Sequence, residues 1–252
     1  RVGDALELLG RLRAGVHVRV VGAGELAVGA LDLLCAGVAA DAEDRKRWKA
    51  REDLLTPIAK AFSTDIGSEV ASLGVQVHGG MGYIEEAGAA VFMRDARITQ
   101  IYEGTNGIQA IDLVQRKLPL SDGACVAAYL DELDGVLETL RASNDTRFGE
   151  AGRYLEAAMA DLRAATDWMM AKMADGEKQA VLAAATPYQH LFGLTAGGIY
   201  LVKGALGSAN GVDRASPARF YAENLVGQSG ALRDRVEQGA ASLAAAGQAL
   251  VA

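Results

Sequence analysis

The sequence is poor in cysteine, proline and aromatic residues, which excludes several classes of protein. Its two cysteines, Cys35 and Cys125, stand alone without the spacing of a metal or redox site. We therefore interpret them as reduced core residues of a cytoplasmic protein. Aromatic residues make up 6% of the 252 residues, whereas Ala, Leu and Gly dominate, a composition typical of closely packed helices.

Long basic and long apolar runs are also absent. The net charge is −7, and no basic run is long enough to form a nucleic-acid-binding surface. The longest apolar stretch, residues 191–201, is about half of the roughly 20 residues that a membrane span needs. His17, His78 and His190 have no ligand spacing, so we expect no metal site. The chain begins at Arg1 rather than Met, which suggests a processed or partial chain.

Apolar residues recur at helical spacing through most of the sequence. In the first half this spacing predicts helices over residues 16–40, 48–77, 89–95 and 106–117. Residues 41–44 form a polar break, and Pro57 either bends the second helix or divides it near Thr56. Residues 78–88 form a glycine-rich loop. The last of these helices ends at Pro119.

A change in composition at residues 120–123 precedes a second helical region. The spacing there predicts helices over residues 124–142, 149–174, 177–206 and 216–250, with short polar connections. Short connections make consecutive helices antiparallel neighbours, so we expect an up-and-down bundle. No convincing strand occurs in this region, and the predicted fold class is all-α. We expect two domains, over residues 1–119 and 123–252.

Glu103 is the first candidate for chemistry. It lies between the apolar residues Ile101 and Tyr102 and a Gly-Thr-Asn-Gly turn that opens a new helix. A carboxylate on such a turn can approach a substrate closely and serve as a general base. The residues alone leave open a solvated glutamate placed before a helix N-terminus, where the helix dipole favours negative charge.

The glycine-rich segment Gln76–Tyr83 is the second candidate. Its glycines lack Cβ atoms, so backbone N–H groups can approach a phosphate closely, and Gln76 can supply a side-chain amide. A helix C-cap followed by an irregular turn remains an alternative.

A third pattern, Gly22-Ala23-Gly24 followed by Ala27, matches a dinucleotide-binding fingerprint. The βαβ context that this fingerprint requires is missing, because residues 45–75 have a helical pattern. A nicotinamide-binding oxidoreductase is therefore a weak alternative.

Three segments, in order and spacing, resemble the acyl-CoA dehydrogenase family: Leu54–Ala61, Gln76–Tyr83 and Arg94–Thr105. Three further segments resemble the subfamily with an added C-terminal helical domain, which includes 3-methylthiopropanoyl-CoA dehydrogenases: Asn106–Gln109, Tyr188–Leu194 and Ala218–Glu223. The resemblance covers nearly the whole chain. It implies the family's C-terminal helical bundle followed by an additional antiparallel helical bundle.

The resemblance implies α,β-dehydrogenation of an acyl-CoA with FAD as cofactor. Glu103 matches the catalytic base, and Gly104 matches a backbone position beside the substrate thioester. Thr105 and the following turn match FAD contacts. At Gly107 many family members have Gln, so one polar FAD contact is absent or comes from the backbone.

Gln76, Gly79 and Gly80 match the loop that holds the FAD pyrophosphate and adenine, usually of the neighbouring subunit. Further partners implied are an electron-transfer flavoprotein and a second copy of the chain, in a dimer or tetramer. The family's N-terminal helical domain and middle β-domain, which supply most of the pocket, have no counterpart here. We therefore expect this chain alone to be inactive, and a non-catalytic helical assembly module is the main alternative.

Overall fold

The computed structural model describes residues 42–208 and 213–251, and within these residues it is helical with no β-strand. The predicted all-α class is confirmed. The predicted helix over residues 16–40 and the Gly22/Gly24 fingerprint lie outside the described residues, as do Cys35 and His17.

The longest helix, α1, spans Ala42–Val77. The predicted polar break is wrong for residues 42–44, which belong to this helix. Acidic residues are favoured in a first helical turn by the helix dipole, and Asp44 also pairs with Arg47 at 2.8 Å. The helix continues through Pro57 rather than ending at Thr56. The buried Gln189 Nε2 donates to the Pro57 carbonyl at 2.9 Å, which ties this point of α1 to a later helix.

The segment predicted as a glycine-rich loop contains two helical turns, α2 over Gly80–Tyr83 and a 3-10 turn over Glu85–Ala87. Helix α3 spans Ala89–Thr99 and so extends beyond the predicted end at Asp95. Helix α4 spans Asn106–Asp112 and continues into a π-helical turn, Leu113–Lys117, where the predicted helix also ends.

Three helices of the second half match the prediction closely: α5 over Ala124–Ser143, α6 over Ala151–Ala174 and α7 over Lys178–Leu206. The single helix predicted over residues 216–250 is wrong. It divides into α8, Ala215–Asn224, a 3-10 turn over Val226–Gln228, and α9, Ser229–Val251. Leu225 marks the break with φ −113°, and Gly227 follows within the turn. The break lets both α8 and α9 pack against α7.

Helix α7 is the centre of the core, since it contacts α1, α4, α5, α6, α8 and α9. Two of its glycines lie where a neighbouring ring packs against the helix backbone, Phe62 of α1 at Gly193 and Tyr221 of α8 at Gly198. One continuous cluster of buried side chains therefore joins the two halves of the described chain, from Leu54 to Val236. This packing holds α1 and α4 in place, and these two helices carry the candidate site.

Candidate active site

The turn between α3 and α4 has a strained backbone at the predicted base. Glu103 has φ 55° and Gly104 has φ 85°, so two consecutive residues lie in the left-handed region. This conformation is unfavourable for glutamate and persists only where its surroundings impose it. Glu103, Gly104 and Thr105 are all exposed. The structure thus presents the Glu103 carboxylate on a backbone that other groups must hold.

Asp65 of α1 closes this turn by binding both of its ends. Its Oδ1 accepts from Gln100 Nε2 at 2.6 Å and from Asn106 Nδ2 at 2.7 Å. The amide N–H of Asn106 also donates to the Gln100 carbonyl at 3.1 Å. The six-residue connection is therefore a closed loop fixed to the long helix.

Two side chains hold the carbonyl groups inside the loop. Gln109 Nε2 donates to the Glu103 carbonyl at 2.9 Å, and Lys60 Nζ donates to the Gly104 carbonyl at 2.9 Å. Within the described residues, the N–H groups of Glu103, Gly104 and Thr105 donate to no backbone carbonyl. Because these three residues are exposed, their N–H groups can serve an acceptor from outside the chain, such as a thioester carbonyl.

Lys60 also donates to Asn106 Oδ1 at 2.7 Å, and its Nζ lies 6.0 Å from the centre of the Tyr102 ring. Partial burial lowers the pKa of this ammonium from its ordinary 10.5, while the carboxylates of Asp65 and Glu103 oppose that shift. One lysine therefore contacts the residues on both sides of Glu103.

Thr105 and Gly107, two of the predicted cofactor contacts, open α4. Thr105 is the N-cap residue, and its Oγ1 accepts from the Ile108 N–H at 3.4 Å. Gly107 is exposed, and no atom lies within 4 Å of the position a Cβ would take. Backbone at this point is accessible to a flat ligand.

The other predicted cofactor contacts, Gln76, Gly79 and Gly80, lie together at the C-terminal end of α1 and are exposed. Gly79 has φ 60° and ψ −145°, a conformation open almost only to glycine. Gly82 is buried, and a Cβ there would lie 2.3 Å from the Val75 carbonyl oxygen, so only glycine fits. His78 Nδ1 lies 2.8 Å from the Gly74 carbonyl oxygen, which occupies one ring nitrogen.

The structure does not bring these two groups of predicted residues together. Asp65, which fixes the Glu103 loop, and Gln76 are eleven residues apart on α1, or about 16 Å along the helix axis. The Glu103 loop and the glycine segment are therefore separate contact regions.

Residues 81–108 carry many exposed apolar side chains. Tyr83 is 82% exposed and Phe92 is 72% exposed. The other members, all exposed by more than a third, are Met81, Ile84, Val91, Met93, Ile98, Ile101, Tyr102 and Ile108. Exposed apolar side chains in this number favour burial against another protein surface or a ligand.

The interpretation of the sequence missed the residues that hold the loop: Lys60, Asp65, Gln100, Asn106 and Gln109. A signal for two of them was present in α1, where Lys60, Thr64 and Ser68 recur every fourth residue, with Asp65 beside them, on a helix whose other face is apolar. Such a polar stripe predicts side chains that bind a neighbouring segment. Among the described residues, no cluster of His, Cys, Asp and Glu could hold a metal ion. None of the described helices has the length and apolar character needed to cross a bilayer.

Comparisons with known proteins agree with this architecture. A model of the acyl-CoA dehydrogenase C-terminal domain matches residues 21–118, and a model described as acetyl-CoA dehydrogenase C-terminal like matches residues 129–246. A 3-methylmercaptopropionyl-CoA dehydrogenase of Ruegeria pomeroyi is 38% identical over 178 residues, which are 71% of this chain and 30% of that protein. A short-chain-specific acyl-CoA dehydrogenase of Megasphaera elsdenii is 54% identical over 52 residues, 21% of this chain and 14% of that protein.

A solved structure has the same fold. The crystal structure of Caenorhabditis elegans ACDH-11 in complex with C11-CoA matches 83% of this chain and 35% of that chain, with a TM-score of 0.66 and 23% identity. This chain thus spans about a third of the relatives that match most of it. The two family models, which together cover most of the sequence, and the Ruegeria relative lead to one conclusion: the chain belongs to the acyl-CoA dehydrogenase family, whose C-terminal helical domains it matches.

Proposed function

We propose that this chain is the C-terminal helical part of an FAD-dependent acyl-CoA dehydrogenase and supplies its catalytic base, Glu103. The observation that carries the proposal is the closed loop at residues 100–106, which holds an exposed carboxylate beside three N–H groups that no backbone carbonyl uses. In this proposal Glu103 takes the α-proton of an acyl-CoA. The N–H groups of the loop bind the thioester carbonyl, and Gly104 leaves space for the substrate because it has no side chain.

We propose that three exposed glycines lie against an FAD molecule. Gly79, Gly80 and Gly107 are exposed, and no atom lies within 4 Å of the position of a Cβ at any of them. When bound, FAD accepts the hydride that leaves the β-carbon. Thr105 and Gly107 would hold the FAD of the same site as Glu103. Gln76, Gly79 and Gly80 would hold the FAD of a neighbouring subunit, which agrees with their distance along α1 from the Glu103 loop.

The exposed apolar side chains support the expected partners. We propose that they are covered by a second copy of the chain and by the rest of a longer protein, and that an electron-transfer flavoprotein reoxidises the flavin. We further propose two domains, residues 1–119 and 123–252, since one family model matches on each side of the connection between them. The ACDH-11 structure, which contains an acyl-CoA, supports this class of substrate.

The base is tested by Glu103→Gln in the longer protein that contains this chain. We expect FAD content equal to that of the wild type and turnover of acyl-CoA with an artificial electron acceptor reduced by about 10²-fold or more, because the amide cannot take a proton. Glu138→Gln, the same change on an exposed residue of α5, is the matched control and leaves turnover unchanged. Turnover of Glu103→Gln at the wild-type rate would remove Glu103 from the role of base.

A further inference from the structure

Lys60 stands out among the residues that hold the loop, because it is the one that bonds to the backbone immediately after Glu103 and carries a charge. It projects from α1, where the residue as a whole is half-buried, 44 residues before Gly104 in the sequence. Its Nζ donates to the Gly104 carbonyl at 2.9 Å and to Asn106 Oδ1 at 2.7 Å. Its third neighbour is the Tyr102 ring.

The peptide that Lys60 holds is one that has little else to fix it. Gly104 has no side chain, and at φ 85° it can exchange with many other conformations. Glu103, before it, is unfavourable at φ 55°. The Gln109 bond fixes the Glu103 carbonyl, but the Gly104 carbonyl has Lys60 as its donor. The Gly104 carbonyl belongs to the Gly104–Thr105 peptide, so without Lys60 this peptide can rotate. The Thr105 N–H then turns with it, and the Gly104 backbone that follows the base is no longer fixed.

We propose that Lys60 is a positioning residue for the base: by bonding to the Gly104 carbonyl and Asn106, it fixes the Gly104–Thr105 peptide. Together with the Gln109 bond to the Glu103 carbonyl, this holds the left-handed backbone from which the Glu103 carboxylate reaches the substrate. This inference rests on the proposed function. Helix α1 thus contributes two residues with different roles: Asp65 closes the ends of the loop, and Lys60 sets the geometry inside it.

The geometry separates this role from two simpler ones. A lysine that only links α1 to the turn would affect the stability of the fold. It would leave the bleaching rate of the protein saturated with acyl-CoA unchanged. A lysine that binds substrate directly would change the concentration of acyl-CoA needed for half-saturation. A positioning lysine changes the rate at saturation, because misplacement of a reacting group by about 1 Å can cost about 10²-fold in rate.

The test compares Lys60→Met, Lys60→Arg and the control Lys49→Met in the FAD-loaded longer protein. Lys49 lies on the same helix, and its partners Glu52 and Asp53 are local. The measurement is the rate of anaerobic flavin bleaching at saturating acyl-CoA. We expect Lys60→Met to bleach its flavin about 10- to 100-fold more slowly than the wild type. The acyl-CoA concentration that gives half-saturation should change by less than about twofold. Lys60→Arg, which keeps charge and donors, should recover most of the rate, and Lys49→Met should bleach at the wild-type rate.

Three results would overturn the inference. Lys60→Met could bleach at the wild-type rate, or it could change only the acyl-CoA concentration that gives half-saturation. Lys60→Arg could also bleach as slowly as Lys60→Met. If Lys60→Met does not retain FAD, the pH dependence of Lys60→Arg decides. The groups that face the ammonium are Asp65, Glu103 and the Tyr102 ring. The bleaching rate of the wild type should fall at alkaline pH as Lys60 deprotonates. The rate of Lys60→Arg should persist to higher pH. If the rates of both proteins fall at the same pH, the inference is rejected.

These outcomes are separate from failure of the proposed function. A wild-type protein whose flavin is not bleached by any acyl-CoA would reject the function. A wild type that bleaches, a Glu103→Gln variant that does not, and a Lys60→Met variant at full rate would reject only the role of Lys60.

Discussion

At the scale of single residues, the candidate base depends on two side chains of α1 that are distant from it in sequence and on Gln109, six residues away. Asp65 binds both ends of its loop, while Lys60 and Gln109 bind the carbonyl groups inside it. The position of Glu103 and its turn could be predicted from local residues, because the glycines and the apolar flanks are contiguous. The supports from α1, Asp65 and Lys60, could not, since hydrogen bonds across 35 to 46 residues depend on how α1 packs.

A change at Asp65 tests this closure. Asp65→Ala removes the shared acceptor of Gln100 and Asn106, so the free energy of opening the loop should fall by about 1–3 kcal/mol. Hydrogen–deuterium exchange of a peptide covering residues 100–109 should become faster, while a peptide from α6 keeps its rate. Unchanged exchange in both peptides would mean that Asp65 does not close the loop.

A second residue-scale prediction concerns the ion pair between Arg51 of α1 and Glu132 of α5. Hydrogen bonding from Arg51 holds the pKa of Glu132 below its ordinary 4.5, despite partial burial. A carboxyl whose folded pKa is depressed stabilises the fold fully above the unfolded value, and this contribution is lost as pH falls through the folded value. The free energy of unfolding should therefore decline below about pH 4.5, and Glu132→Gln should weaken that decline in urea titrations. An identical pH dependence in the variant would contradict the assignment.

At the scale of helices, sequence periodicity predicted most elements, and the errors have identifiable causes. The predicted boundaries of α5, α6 and α7 were close to the observed ones, because the polar connections between these helices are short. The break at Leu225 was missed because α8 and α9 share one continuous helical pattern, and only the need to pack both against α7 divides them. Pro57 left two alternatives that local sequence could not resolve, since the Gln189 bond to its carbonyl comes from a helix more than 100 residues away.

Close packing between α1 and α7 gives a prediction at this scale. Gly193→Ala would place its Cβ 2.5 Å from the Phe62 ring, so we expect a loss of about 1–3 kcal/mol in the free energy of unfolding. Gly135→Ala on the exposed face of α5 is the matched control. No atom lies near its Cβ position, and we expect a gain of roughly 0.5–1 kcal/mol. Chemical denaturation measures both, and equal effects at the two positions would contradict the packing.

At the scale of the whole molecule, the described chain has a shared core and many exposed apolar side chains between residues 81 and 108. The core links both halves through α7, whereas these apolar side chains are left exposed. The chain spans 30% of the length of the Ruegeria relative.

We therefore expect the 252-residue chain, purified alone, to carry no stoichiometric flavin and to turn over no acyl-CoA. Its helix content should match the structure, so circular dichroism serves as the control for folding. A folded chain with a yellow, stoichiometric flavin spectrum would contradict this prediction.

The central claim is that Glu103 is the base, and it is tested most directly by single-turnover bleaching of the flavin in the longer protein. Wild-type and Glu103→Gln proteins, loaded with equal FAD, are mixed anaerobically with acyl-CoA, and flavin absorbance is followed in a stopped-flow instrument. We predict that Glu103→Gln binds the acyl-CoA but bleaches slower by about 10²-fold or more. Bleaching of the variant at the wild-type rate would contradict the account.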